Sequence, residues 1–175
     1  CAFSPDGSLI VSSGMDRTLR IWDSTDGSEK ATLRGHGARV TDCGFSADGS
    51  YLLSASVDNT LKIWDVETAR SDPGERFEAA RADTCAISPD AATVVAAGDA
   101  RVSDAGVARS TCEISVLRPD SGGLEALHPG SAASPSACAF SSNGRYFAAH
   151  GSVFDAATRE KCAELRDYRG DSLAI

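Results

Sequence analysis

Cys1-Ala2-Phe3-Ser4-Pro5-Asp6-Gly7 returns 42 residues later as Cys43-Gly44-Phe45-Ser46-Ala47-Asp48-Gly49. It returns again as Cys85-Ala86-Ile87-Ser88-Pro89-Asp90-Ala91 and as Cys138-Ala139-Phe140-Ser141-Ser142-Asn143-Gly144, after spacings of 42 and 53 residues. A second phrase keeps the same period: Leu19-Arg20-Ile21-Trp22-Asp23 recurs as Leu61-Lys62-Ile63-Trp64-Asp65. A period of about 40 residues marks a stacked architecture of repeated supersecondary units, and this outranks any local assignment.

The long third spacing has a definite place. Twenty residues separate Asp23 from Cys43 and Asp65 from Cys85; counting the same interval back from Cys138 lands on Arg118, at the end of Glu113-Ile114-Ser115-Val116-Leu117-Arg118. The extra residues therefore fall near 99–109, between the second and third strands of unit three, and the reading expects a mobile loop there. Arg101-Val102-Ser103-Asp104 also mimics Ile-Trp-Asp, but a third strand there would break the 20-residue interval. Unit four is shortened at the same point, with Val153-Phe154-Asp155 only 17 residues after Cys138. Loops absorb such length changes and strands do not. The units run approximately 1–42, 43–84, 85–137 and 138–175.

Each unit reads as four short strands, which in unit two lie near Val40–Phe45, Tyr51–Ser56, Thr60–Asp65 and Gly74–Ala79. Cys43 and Phe45 share one face of the first strand and Gly44 takes the other. Pro-Asp-Gly and Ala-Asp-Gly are turn formers, and Asp58-Asn59 sits at the next hairpin tip. A four-stranded sheet of this size cannot bury its faces alone, so the units must stack, and radial stacking of such sheets is a β-propeller. The fold class is all-β: blades of four-stranded antiparallel sheet forming a partial ring.

Composition bounds the function. Acidic residues outnumber basic ones 25 to 17, for a net charge of −8, which argues against nucleic acid or an anionic membrane as the main partner. The longest apolar stretch, Ala91 to Ala97, is far too short to cross a bilayer. Cys1, Cys43, Cys85 and Cys138 recur at one strand position, and core packing accounts for them better than zinc, which wants short Cys-x₂₋₄-Cys spacing. Cys112 and Cys162 fall outside the pattern. Reduced cysteines point to a cytoplasmic or nuclear setting. No phosphate-binding loop, nucleophile elbow or calcium loop is present, and His128 and His150 have no carboxylate at a motif spacing. The sequence gives no catalytic site, cofactor or metal set.

The chain resembles the WD40-repeat family. Trp22-Asp23 and Trp64-Asp65 are the Trp-Asp pairs, Gly35-His36 the Gly-His that opens a unit, and Phe3 to Gly7 the Phe-Ser-Pro-Asp-Gly phrase, recognisable in all four units. The resemblance implies a buried hydrogen-bond set in unit two made of His36, Ser56, Asp58 and Trp64. Unit one keeps Asp16 and Trp22 with Gly14 at the Ser position. Phe77-Glu78 stands where the next Gly-His would be, Leu117-Arg118 replaces Trp-Asp in unit three, and unit four has Ser131 for His and Phe154 for Trp. Units three and four are therefore expected to be looser. Rings of this family resemble seven or eight blades, so four imply an arc completed by blades from the same longer chain or by a second copy.

The family commonly docks partners on the face carrying the loops into the first strands. Here the candidates are Arg39 and Thr41, Arg81 and Asp83, and Ser134 and Ser136. Arg39 and Arg81 stand 42 apart, at one height on neighbouring blades, and two arginines suit an acidic or phosphorylated peptide. The expected function is a non-catalytic scaffold for a protein or peptide; the alternative is a structural or autoinhibitory arc of a larger protein.

Overall fold

A computed structural model of the chain describes residues 1–68, 76–78, 82–104, 107–118, 123–127, 137–149 and 151–165. Among these residues there is no helix. Sixteen strands form four antiparallel sheets of four, each in simple meander order. Blade 1 comprises β1 (Ala2–Phe3), β2 (Leu9–Ser13), β3 (Thr18–Asp23) and β4 (Glu29–Arg34). Blade 2 comprises β5 (Val40–Phe45), β6 (Tyr51–Ser56), β7 (Thr60–Asp65) and β8 (Arg76–Glu78). Blade 3 comprises β9 (Thr84–Ile87), β10 (Val94–Asp104), β11 (Val107–Arg118) and β12 (Gly123–Leu127). Blade 4 comprises β13 (Cys138–Phe140), β14 (Tyr146–Ala149), β15 (Ser152–Asp155) and β16 (Lys161–Glu164).

The first strand of each blade meets the first strand of the next, β1 on β5, β5 on β9 and β9 on β13, so these line the inside of an arc. The ring is not closed. Three apolar clusters fill the three spaces between blades. Val11, Leu19, Ile21 and Leu33 of blade 1 pack with Val40, Cys43, Leu52 and Trp64 of blade 2. Leu53, Ala55 and Leu61 on the other face of blade 2 meet Val94, Ala96 and Leu117 of blade 3. Val95, Ala97, Ile114 and Val116 then meet Phe147, Ala149 and Phe154 of blade 4. Alternate residues of one strand thus feed opposite cores, as the two-residue period requires. Phe45, Ile87 and Phe140 lie against these clusters, whereas Phe3, their counterpart on blade 1, is 66% exposed.

The recurring Phe-Ser-x-Asp-Gly phrase builds a turn that supplies its own hydrogen bonds. In blade 1 the Ser4 hydroxyl donates to Asp6 Oδ1 at 2.6 Å and accepts from Leu9 N at 2.8 Å, while Ser8 N donates to the same carboxylate oxygen at 3.0 Å. The same bonds recur at Ser46, Asp48 and Tyr51, at Ser88, Asp90 and Thr93, and at Ser141, Asn143 and Tyr146. The residue after the carboxylate or amide takes the left-handed conformation: φ is 73° at Gly7, 75° at Gly49 and 69° at Gly144. In blade 3 that position is Ala91, held at φ 57° against its steric preference.

Two expectations need correction. The insertion near 99–109 is strand rather than loop: β10 and β11 continue their ladder from Ala97↔Ile114 out to Asp104↔Val107. Small and β-branched residues such as Val102 and Val107 carry a ladder as readily as a loop, and length alone does not distinguish them. Phe77 and Glu78 lie on β8 opposite Leu61 and Thr60, not in the loop into blade 3. Thr18 pairs with Arg34 in blade 1 but its counterpart Thr60 pairs with Glu78, so the outer strand is displaced by two residues relative to the 42-residue count.

Candidate functional site

Two places in the fold gather polar side chains: the bridge between blades 1 and 2, and the rim where chain enters each first strand. The bridge starts from Gly35-His36, which follows β4 and carries the imidazole into blade 2. His36 Nδ1 lies 3.0 Å from Asp58 Oδ2, and His36 Nε2 lies 2.8 Å from Ser54 Oγ. Trp64 Nε1 donates to the same Ser54 Oγ at 2.8 Å. Asp58 also accepts from Gly37 N at 2.6 Å, from Thr60 N at 3.0 Å and from Thr60 Oγ1 at 2.5 Å. A carboxylate can only accept, which places the imidazole proton on Nδ1. The chain of donors then runs from the Trp64 N–H to the Ser54 hydroxyl, from that hydroxyl to His36 Nε2, and from Nδ1–H to Asp58. Burial pushes the Asp58 carboxyl up, but the bonds from Thr60, Gly37 and His36 outweigh it and hold the pKa at about 2.

The serine of this bridge is Ser54. Ser56 instead donates to the carbonyls of Arg39 (2.9 Å) and Ala38 (3.2 Å), pinning the entry to β5. Sheet geometry gives the reason. Trp64 pairs with Leu52 and Lys62 with Ser54, so Ser54 is the diagonal same-face neighbour of Trp64, and Ser56 lies one rung beyond reach. Blade 1 repeats the arrangement: Trp22 Nε1 donates to Ser12 Oγ at 2.9 Å, and Asp16 Oδ1 accepts from Thr18 N and Oγ1. Gly14 is therefore the counterpart of Ser56, not of the bridging serine. Asp16 Oδ2 is taken by Arg20 at 3.1 Å, where Asp58 Oδ2 takes His36.

Blades 3 and 4 exchange donor and acceptor together. At the Ser54 and Trp64 positions stand Ala96 and Leu117 in blade 3, and Ala149 and Phe154 in blade 4, all buried. Phe154 stacks on Phe147 with centroids 5.1 Å apart. Replacing both partners of a buried bond by apolar groups is close to neutral, whereas replacing one would strand the other.

Of the rim candidates, Arg39 is exposed and its carbonyl holds Ser56 Oγ and Val57 N. Thr41 is half-buried and its hydroxyl lies 3.0 Å from the Ala55 carbonyl and 2.9 Å from that of Ala82, so it ties blade 2 to blade 3. Asp83 donates its N–H to Ala97 O at 2.9 Å. Arg81, Ser134, Ser136 and Ser131 lie outside the described residues. A seam that the sequence reading missed runs along the inner wall. Asp42 Oδ1 accepts from Cys43 N, and its Oδ2 accepts from Thr84 Oγ1 (3.0 Å) and Cys85 N (2.9 Å) of the next blade; Thr84 Oγ1 in turn accepts from Cys138 N at 3.3 Å. Asp42 and Thr84 stand 42 residues apart, a spacing that could have flagged them. Cys43 and Cys85 are free thiols beside this seam; burial pushes the Cys43 thiol up, and burial first, then Asp42, pushes Cys85 well up. Among the described residues no group of His, Cys, Asp and Glu is arranged to hold a metal ion.

Four-stranded meanders packed face to face, with inner first strands and a His–Ser–Trp bridge between blades, define a β-propeller of repeated blades. The WD40 family (WD domain, G-beta repeat) matches residues 1–23 and 27–65, the first two blades. It is 50% identical over 40 residues to the 26S proteasome regulatory subunit RPN14 of Saccharomyces cerevisiae. It is 54% identical over 43 residues to WD repeat and SOCS box-containing protein 1 of Homo sapiens, and the Xenopus tropicalis protein of that name matches equally. Each match covers 23% of this chain and 10% of the relative.

Proposed function

We propose that the chain is a non-catalytic protein–protein interaction scaffold, holding loop and turn residues of successive blades at fixed spacing for a protein or peptide partner. WD40 repeats generally serve protein–protein interaction, and the propeller fold is typically a non-catalytic scaffold. The observation that carries the reading is the occupation of the buried chemistry: His36, Asp58, Ser54 and Trp64 bond one another, and Asp42 and Thr84 bond the next blade. What remains for recognition is the exposed rim that carries Arg39; Arg81, its counterpart 42 residues on in the sequence, is proposed with it. Relatives named as a proteasome regulatory subunit and as a SOCS box-containing protein fit a module that works within larger assemblies. The free cysteines favour a cytoplasmic or nuclear setting.

A second reading, an arc walled in by other parts of a larger assembly, draws on exposed large apolar side chains, Met15 at 82% and Tyr51 at 41%. Chemical crosslinking in cells, with the chain compared to Arg39→Ala and Arg81→Ala, tests the first reading. A discrete protein crosslinked to the wild type and lost in the variants supports the rim; recovery of nothing but copies of the chain itself would remove the scaffold reading.

A further inference from the structure

The first turn of blade 4 carries an amide where its three counterparts carry a carboxylate: Asn143 stands at the position of Asp6, Asp48 and Asp90. Gly144 follows it, as Gly7 and Gly49 follow two of those aspartates. The chain has two asparagines, Asn59 and Asn143, and Asn143 is the one that precedes a glycine. We infer that Asn143 is a deamidation site, converted to aspartate after attack by the Gly144 backbone nitrogen, and that the turn retains the aspartyl product.

Two donors already point at the oxygen on which charge would develop. Ser141 Oγ donates to Asn143 Oδ1 at 2.8 Å, and Arg145 N donates to it at 3.0 Å. Attack on Cγ moves negative charge onto Oδ1, and donors at this distance stabilise a tetrahedral oxyanion. Asn143 is exposed, so solvent base reaches the site, and Gly144, at φ 69°, has no side chain to shield its nitrogen. The Gly144 N–H donates to Ser141 O at 2.8 Å, and this bond has to open before the nitrogen attacks. At Asn59 the attacking nitrogen would belong to Thr60, which is β-branched, 1% exposed and donates to Asp58 Oδ1 at 3.0 Å. At Asp6 and Asp48 the same attack meets an ionised carboxylate, held below its ordinary pKa by the turn serine, whose charge repels the nucleophile.

Water is the one co-reactant. The Gly144 nitrogen gives its proton to solvent hydroxide and bonds to Cγ; the Cγ–Nδ2 bond breaks and ammonia leaves. Water then opens the cyclic imide. Opening at Cγ restores the backbone and leaves a carboxylate side chain, whereas opening at the Asn143 backbone carbonyl carbon routes the chain through the β-carbon as isoaspartate. The turn treats the two products differently. Both hydrogen bonds to the Asn143 side chain end on Oδ1, and a carboxylate oxygen there accepts them more strongly. Asp6, Asp48 and Asp90 accept the corresponding bonds from Ser4, Ser46 and Ser88. Isoaspartate instead adds a backbone atom between Ser141 O and Gly144 N and breaks the bond that closes the turn. Deamidation to aspartate therefore makes a chain of net charge −8 one charge more acidic and keeps the blade intact.

The test is incubation of the full chain at neutral and mildly alkaline pH, native and in urea, followed by peptide mass spectrometry. The readout is the mass gain of an amide –NH₂ exchanged for –OH at each asparagine, with isoaspartate separated by fragmentation. In the native protein Asn143 is expected to convert at least tenfold faster than Asn59, at a rate that rises with pH. Asn143→Asp, which installs the residue that the other three blades carry, is expected to raise the urea midpoint of the unmodified chain. Conversion in urea with none in the native protein over the same period would overturn the site, as would equal rates at the two asparagines. A lower urea midpoint for Asn143→Asp would overturn the claim that the turn retains the product.

Discussion

Ser54→Ala tests the bridge at its centre. The hydroxyl is fully buried and serves two buried rings at once, 2.8 Å from His36 Nε2 and 2.8 Å from Trp64 Nε1. Truncation removes one acceptor for the indole N–H and one donor to the imidazole, and no water reaches either from a side chain 2% exposed at Trp64. A buried group that loses its partner costs about 1–3 kcal/mol, so two such losses amount to about 2–4 kcal/mol once the cost of burying the hydroxyl itself is recovered. That is a large share of the ~5–15 kcal/mol typical of a domain. Ser56→Ala gives the contrast, since it releases two carbonyls at the blade's entry, about 1 kcal/mol. Ser12→Ala breaks the same Trp–Ser bond in blade 1, but around a half-buried Trp22 that solvent can rehydrate, for less than about 1 kcal/mol. Urea unfolding followed by fluorescence of the two tryptophans ranks the three. If Ser56→Ala costs as much as Ser54→Ala, the bridge has been assigned to the wrong serine.

Further outcomes follow from the turns and thiols. Asp58 and Asp6 are each held at about 2, below the ordinary carboxylate value. A lowered folded-state pKa contributes stability that is complete above the unfolded value of ~3.9 and is lost as pH falls through the folded one. The urea midpoint should therefore hold from pH 7 to 5 and drop between about 4 and 2, and Asp58→Asn should flatten that drop. Ala91→Gly relieves the left-handed strain at φ 57° and should stabilise by about 0.5–1 kcal/mol, net of the extra freedom glycine gives the unfolded chain. A lower thermal midpoint would contradict it. Iodoacetamide with mass-spectrometric readout should label exposed Cys1 and Cys162 within minutes and spare Cys43 and Cys85 until denaturant is added.

The period of 42 residues carried the blade count and the strand order, because repetition reveals itself without knowledge of partners in space; His36, Asp58 and Trp64 of the bridge came from the resemblance to the WD40-repeat family. It did not carry the choice between Ser54 and Ser56. Both alternate to the Trp64 face, and only the register of Leu52 opposite Trp64 decides which one the indole reaches. Ser12 and Trp22, separated like Ser54 and Trp64, were the available signal. The substitutions of blades 3 and 4 read as losses one at a time; they become a paired exchange once Ala96 is seen beside Leu117 and Ala149 beside Phe154. Thr41 read as a surface residue because a loop lead-in is normally solvated, yet the carbonyl that engages it belongs to Ala82, 41 residues away. The hairpin over 99–104 and 107–109 was invisible as structure because small residues serve loop and strand alike.

The inner seam also sets how the chain answers force. Asp42 clips blade 2 to blade 3 and Thr84 clips blade 3 to blade 4, each of these bonds spanning neighbouring blades. Tension applied at the two ends therefore loads one inter-blade junction at a time. Yielding would proceed in discrete steps, about 140 Å of contour for each of the 42-residue blades 1 and 2, about 180 Å for the 53-residue blade 3 and about 130 Å for the 38 residues from Cys138 onward. The elongated hairpin becomes the mark by which the blade 3 step is recognised.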